Sequence, residues 1–365
     1  MTPLGPMCAK KCCEETSSNC CGTETQFLIF LNSFLYLMAG WRFPQEFAGG
    51  CALACAMRQG ILKSYVGRLC MLFLVLASAK SADSTYPETK SPAQNAARPQ
   101  LHEKRASAFD LEVAGDLAGV APGTSRYLRR EDLLALPQVS YTVTDDANFK
   151  GPTQVSGVSL EELTQHLSAS PQADLVVAIC DDLYRAHYSR SYITAHAPLL
   201  VLLINGKAPG DWPKAEDAHG MGMGPYLISH PVFTSRSKVL SQPEEPQIPW
   251  GVIRLEFGNE EKVLGAIAPL GPNAKEPAVQ DGYQIAKQNC FRCHNMGEEG
   301  GQKAGRPWAV LATWANASPK YFGAYVRDPK SKNPHAQMPG NPNYDDATIH
   351  ALISYFRTFV AEGKP

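Results

Sequence analysis

Near the end of the chain, the run Cys290-Phe291-Arg292-Cys293-His294 sets two thiols three residues apart with an imidazole directly after the second. On one turn of chain, such thiols can add across both vinyl groups of a single porphyrin, and the histidine then lies beneath the iron as its axial ligand. A closed zinc site asks for about four ligands, and no second cysteine pair completes one. A thioredoxin-like redox pair asks for a βαβ setting, which a motif this close to the C-terminus lacks. The motif points to one covalently bound heme c, attached through Cys290 and Cys293 with His294 on the metal.

The flanks are patterned for helices. Val279, Tyr283, Ala286 and Cys290 form a helical stripe running into the motif. Ile349, Leu352, Ile353, Phe356, Phe359 and Val360 form a second, with Asn343 or Asp345 available as its cap. A third helix is expected to start at Ser318-Pro319 and stop before Asp328-Pro329. These stripes require the first and last helices to cross over a buried porphyrin.

From about residue 278 onward the chain resembles a class I mono-heme cytochrome c domain. The resemblance rests on Asp281-Gly282-Tyr283 ahead of the cysteines, Val326-Arg327-Asp328-Pro329-Lys330, Asn333-Pro334-His335-Ala336-Gln337-Met338-Pro339, and Ser354-Tyr355-Phe356 in the closing helix. It implies that Met338 is the distal iron ligand, that Gly282 packs on Tyr355, and that the Pro307 carbonyl accepts a hydrogen bond from the proximal histidine. His335 and His350 are competing distal ligands and would give a lower potential than a thioether. With both axial positions filled, iron cannot readily bind oxygen or peroxide, so electron transfer is the expected role.

The other cysteines crowd at the opposite end: eight of eleven lie within the first 70 residues, and beyond the motif only Cys180 remains. A disulfide framework would be spread through the folded part. The leader instead reads as material outside the mature protein. Residues 57–79 have the form of a signal peptide: Met57, basic Arg58, Lys63 and Arg68, the apolar run Leu69–Leu76, then Ala77-Ser78-Ala79. Residues 1–56 read as an over-extended N-terminus, with a membrane anchor as the alternative, and residues 80–107 as a linker. The expected location is the periplasm. The leader lacks twin arginines, which favours export of an unfolded chain that gains its cofactor afterwards.

Residues 108–262 carry short apolar runs at 138–144, 175–179, 199–204, 226–229 and 252–257, with a helical patch at 160–167. Asn205-Gly206 reads as a tight hairpin turn. This is α+β with a mostly β core. Gly157–Leu163, Asn205-Gly206-Lys207, His219-Gly220, Gly224–Ile228 and Trp250–Glu256 together resemble the molybdopterin-binding domain of the sulfite oxidase family. In that family a cysteine after the strand ahead of the Gly-Val segment holds molybdenum. Here Asp145-Asp146 follows that strand, and a carboxylate is no substitute for a soft thiolate. Cys180 reads as a buried small apolar residue. The domain is expected to lack molybdenum and to serve as a docking or binding module. Asp181, Asp182, Arg185 and His187 read as a solvated polar edge, with the lining of a pocket as the alternative, and His219-Gly220-Met221-Gly222-Met223 with His230 as a glycine-rich loop rather than a copper site.

The whole is expected to be multidomain: the α+β sulfite-oxidase-like segment, a linker at 263–277, then an all-α cytochrome c domain at 278–365. With 34 basic against 35 acidic residues there is no charge excess to hold nucleic acid. The expected partner is a redox protein or a membrane respiratory complex, and oligomeric state is not legible. The function expected is an electron carrier rather than a catalyst. The alternatives are a molybdenum or copper oxidoreductase passing electrons from a small anion to its own heme, and a heme-bearing sensor.

Overall fold

The apolar runs of the middle segment pair into one nine-stranded sheet. The computed structural model describes residues 98–214 and 222–360, all within one compact unit. The sheet strands are β1 (Leu111–Gly115), β2 (Ser125–Leu128), β3 (Val139–Val143), β4 (Thr153–Ser159), β5 (Leu175–Cys180), β6 (Arg185–Ser189), β7 (Leu199–Ile204), β8 (Tyr226–Ser229) and β11 (Trp250–Gly258). Between the last two, β9 (Lys238–Val239) and β10 (Gln242–Pro243) form a separate ribbon. The main path runs β2-β1-β11-β8-β7-β4-β3, with β5 and β6 branching from β11. Only β1 and β11 pair in parallel among the described strands.

The branch lies at β11. One of its edges pairs β5 from Val252 to Gly258, while the other pairs β8 at Trp250 and Val252 and then β1 from Arg254 to Phe257, with register shifts between Trp250 and Val252 and between Val252 and Arg254. An extra residue at such a bulge bends a strand and re-aims it. Helices α1 (Arg130–Ala135), α2 (Leu160–His166) and α3 (Arg190–His196) lie between strands. Ser159 and Ser189 cap the last two, their hydroxyls accepting from the Glu162 and Tyr192 amides. One core gathers Leu111, Leu128, Leu163, Ala178, Tyr188 and Phe257, and a smaller one gathers Val155, Val201, Trp212, Met223 and Leu227. Each such side chain contributes roughly 1.5–3 kcal/mol on burial.

The strands at 199–204 and 226–229 lie where the apolar runs put them, and β3, β5 and β11 differ only at their ends. Strands β1, β2, β4 and β6 of the sheet were not foreseen, because Glu112, Arg126, Gln154, Ser156, Arg185 and His187 break their apolar pattern. The turn at Asn205-Gly206 forms with φ of 50° and 73°, Ile204 and Lys207 exchanging hydrogen bonds of 3.1 and 2.9 Å. No long return strand follows it; the chain enters a 3-10 turn at Pro209–Asp211. The leader, residues 80–97, and His219, Gly220 and Met221 lie outside the described residues.

The C-terminal part is helical: α4 (Glu260–Gly265), α5 (Pro277–Asn289), α6 (Trp308–Ala317), α7 (Pro319–Arg327), α8 (Pro329–Lys332) and α9 (Asp346–Arg357), with a small hairpin of β12 (Asn295–Met296) and β13 (Glu299–Gly300). Asp345 caps α9, its carboxylate accepting from the Thr348 amide at 2.8 Å. The helix stops at Arg357, so Phe359 and Val360 lie past its end. The stretch expected as a linker, 263–277, is part of the core instead. It contains the end of α4 and the fully buried Ile267, whose carbonyl accepts the Tyr355 hydroxyl at 2.6 Å.

The crossing of α5 and α9 is set by one residue. A Cβ on Gly282 would lie 2.1 Å from the Ala351 carbonyl oxygen and 2.6 Å from the Tyr355 Cβ. Only glycine lets the two backbones approach this closely.

Candidate heme site

Cys290 caps the C-terminal end of α5, its amide bonded to the Ala286 carbonyl at 2.9 Å. The Cys293 and His294 amides both donate to the Cys290 carbonyl, at 3.1 and 3.0 Å, so a single tight turn carries both thiols and the imidazole. The next stretch is laced back onto this turn. The Gly301 amide donates to the Phe291 carbonyl at 2.9 Å and the Ala304 amide to the Cys293 carbonyl at 3.0 Å. A Cβ at Gly301 would lie 1.8 Å from the Arg292 carbonyl oxygen, which is why that position is glycine. Phe291 is fully buried and meets Trp308 edge to face at 5.6 Å.

Both thiols are held in the neutral form. Burial pushes the Cys290 thiol up to about 12 and also raises that of Cys293. A redox or metal-thiolate pair needs the opposite shift.

His294 is buried, and burial lowers its basicity, so the ring is held neutral. Its Nδ1 lies 2.8 Å from the Arg306 carbonyl oxygen. A carbonyl can only accept, so Nδ1 carries the proton and Nε2 keeps its lone pair for a metal. The acceptor is therefore Arg306 and not Pro307 as expected; Pro307 instead precedes α6 as its N-cap residue. The Pro307 carbonyl accepts from the Val310 amide at 2.9 Å in the first turn of α6.

Met338 lies on the loop between α8 and α9 and packs, half-buried, against the helical core. His335 and His350, the competing ligands, are both exposed. Met296 also reaches the core, but from the same loop as His294. The Met338 loop is held by the Asn341 amide, which donates to the Val326 and Arg327 carbonyls at 3.2 and 3.0 Å. The residues present fit a heme. Two neutral thiols and a metal-ready imidazole share one turn, and a thioether faces the same core.

The α+β segment meets this turn directly. The loop and strand at 182–187, expected as a solvated edge, form a contact surface. The Arg185 amide donates to the Arg292 carbonyl at 2.9 Å, the Gln302 amide to the Leu183 carbonyl at 3.0 Å, and His187 stacks on Phe291 at 5.0 Å. Asp182 pairs with Lys303. Periodicity could not have found this surface, because its partners come from a different part of the chain. Cys180 is buried at the end of β5.

Asp145 and Asp146 follow β3 and, with His230, Phe233, Pro246 and Ile248, line a cavity of about 210 Å³. Asp146 accepts from the Ser229 hydroxyl at 2.7 Å and the Asn148 amide at 2.9 Å, and burial raises its pKa. His230 bonds the Tyr192 hydroxyl at 3.0 Å, and burial pushes it down to about 4. No group of three or more His, Cys, Asp or Glu side chains able to hold a metal ion occurs among the described residues.

Residues 277–356 match the family model for cytochrome c oxidase, cbb3-type, subunit III. Cytochrome c oxidase subunit 2 of Alkalihalophilus pseudofirmus is 25% identical over 134 residues, covering 35% of this chain and 39% of that protein. The sulfane dehydrogenase SoxCD of Paracoccus pantotrophus is similar to 47% of this chain and 45% of its own, at 14% identity and a TM-score of 0.29. The chain thus spans less than half the length of each protein it matches. On the family match, the helical segment that carries Cys290, Cys293 and His294 is similar to cytochrome c domains, which implies heme binding and electron transfer.

Proposed function

We propose that this chain is a periplasmic electron-transfer protein carrying one heme attached covalently through Cys290 and Cys293, with His294 and Met338 as axial ligands. When bound, the heme supplies one-electron Fe(III)/Fe(II) exchange. The observation that carries the reading is the His294 geometry: the hydrogen bond from Nδ1 to the Arg306 carbonyl leaves Nε2 as the basic nitrogen, on the same turn as both thiols. The chain's own residues do the rest. Arg306 orients the imidazole, the buried Phe291, Trp308, Tyr355 and Phe356 keep water from the core, and the Gly282 crossing sets the spacing of α5 and α9.

The α+β segment then acts as a docking module for a redox partner protein or membrane complex, and it carries no molybdenum because Asp145 and Asp146 stand where a thiolate is required. The periplasmic location rests on the leader pattern at 57–79. The test is chemical. Acid-acetone extraction of the purified protein should leave the pigment on the chain, with one iron per chain, a weak near-infrared methionine band, and no bound molybdenum or copper. Colour lost to the solvent overturns covalent attachment, and stoichiometric molybdenum or copper overturns the carrier reading in favour of an oxidoreductase.

A further inference from the structure

The loop that carries Met338 runs from Asn333 to Asp345, between α8 and α9, and contains no helix or strand. Most of its side chains are exposed, while Ala336, Met338, Asn341 and Tyr344 are at least half-buried. Such a loop has no ladder of backbone bonds, so its position is set by the few specific contacts it makes. Those contacts converge on Arg327, the last residue of α7. The Arg327 carbonyl accepts from the Asn341 amide at 3.0 Å. Its guanidinium Nε donates to the Tyr344 carbonyl at 2.6 Å, and Nη2 donates to the Asp346 carboxylate at 2.6 Å. The backbones are also close here, since a Cβ at Gly340 would lie 2.9 Å from the Arg327 carbonyl oxygen. Tyr344 is buried, and its hydroxyl accepts from Asn289 Nδ2 at 2.6 Å. Asn289 immediately precedes Cys290, so the residue that Arg327 grips is itself tied to the attachment turn.

We propose that Arg327 is the positioning residue for the distal ligand: it pins the loop that carries Met338, so that the thioether stays directed into the helical core beside the attachment turn. The inference rests on the reading of Met338 as an axial ligand. The pair with Asp346 contributes little, because that carboxylate is fully exposed and water competes for it. The bond to the Tyr344 carbonyl is the one that holds the loop. A planar guanidinium spans a carbonyl and a carboxylate with one rigid fork, a geometry that a lysine ammonium does not reproduce. A competing ligand replaces the thioether only while the loop is displaced. Its apparent affinity therefore scales with the fraction of molecules whose loop is open, and removing the pin raises that fraction.

The experiment uses the full heme-loaded chain in the oxidised state, titrated with imidazole while the weak near-infrared methionine band is followed. Arg327→Gln should bind imidazole at least about tenfold more tightly than the wild type, with covalent heme retained as a check on folding. Asp346→Asn removes the exposed ion pair alone and should leave the affinity unchanged. Arg327→Lys keeps the charge but loses the fork, so it should resemble Arg327→Gln. As the milder change, it also decides the matter if Arg327→Gln does not accumulate. Wild-type affinity in Arg327→Lys overturns the pin in favour of a simple effect of the charge. Equal affinity in the wild type and Arg327→Gln overturns the inference and leaves the axial assignment standing. A wild-type protein without the near-infrared band overturns the axial assignment, and this inference with it, so the two failures are told apart before any variant is made.

Discussion

Replacing Gly282 by alanine sets two effects of opposite sign against each other. In an exposed helix the change would stabilise by up to about 1 kcal/mol, because glycine loses more backbone freedom on folding. At this crossing the new Cβ would lie 2.1 Å from the Ala351 carbonyl oxygen. Ordinary contact is about 3.5 Å, so α5 and α9 must part by about 1 Å or more. Overpacking of this kind costs roughly 1–3 kcal/mol. The strain falls on backbone and on the Cβ of Tyr355, neither of which can swing aside as a flexible side chain would, so the upper part of that range applies. The net expectation is a loss of ~2 kcal/mol and a Tm lower by about 4 °C or more. Gly265→Ala is the control: that position closes α4, is exposed, and has nothing within 4 Å of the added Cβ, so its Tm should be unchanged or slightly raised. Thermal and urea unfolding of the heme-loaded protein measures both. A Gly282→Ala protein as stable as Gly265→Ala would refute the account of the crossing.

Met338→Ala should open the iron to carbon monoxide in the ferrous state and Met338→His should lower the midpoint potential, whereas His335→Gln and His350→Gln should leave both unchanged because those side chains are exposed. His230 is held neutral with its pKa pushed from 6.5 down to about 4, so the unfolded chain binds the extra proton first. Its contribution is therefore full above about pH 6.5 and is lost as pH falls toward 4, by up to ~3 kcal/mol. Urea unfolding at pH 7 and 4.5 should show that slope, reduced in His230→Gln; an equal slope in the variant refutes the assignment. Phe291→Ala removes a fully buried ring stacked on His187 and should cost ~3–5 kcal/mol with poor heme retention. Asp182→Asn breaks only the partly exposed pair with Lys303 and should cost less than about 1 kcal/mol by the same unfolding assay.

Much of the helical module was legible because its chemistry is local. Cysteine spacing and the following imidazole lie within five residues, and the stripes that bury Val279, Ala286, Leu352 and Phe356 follow helical period. The strands at 199–204 and 226–229 were legible for the same reason, as continuous apolar runs between turns. Strand β6 was not, since Arg185 and His187 look like solvent-facing residues until Glu298, Arg292 and Phe291 are brought against them. The carbonyl that orients His294 was placed one residue late, because residue order does not say which way a carbonyl turns when an extended proline enters a helix.

Residue order alone thus determined the attachment turn, the helices that flank it and the candidate axial ligands, because covalent spacing and amphipathic period are properties of neighbouring residues. Only the tertiary structure decided that the β5–β6 end closes over the attachment turn, setting Arg185 and His187 against Arg292 and Phe291. Burial and electrostatic compensation depend on groups more than a hundred residues apart in the chain, and no local pattern records where those groups meet.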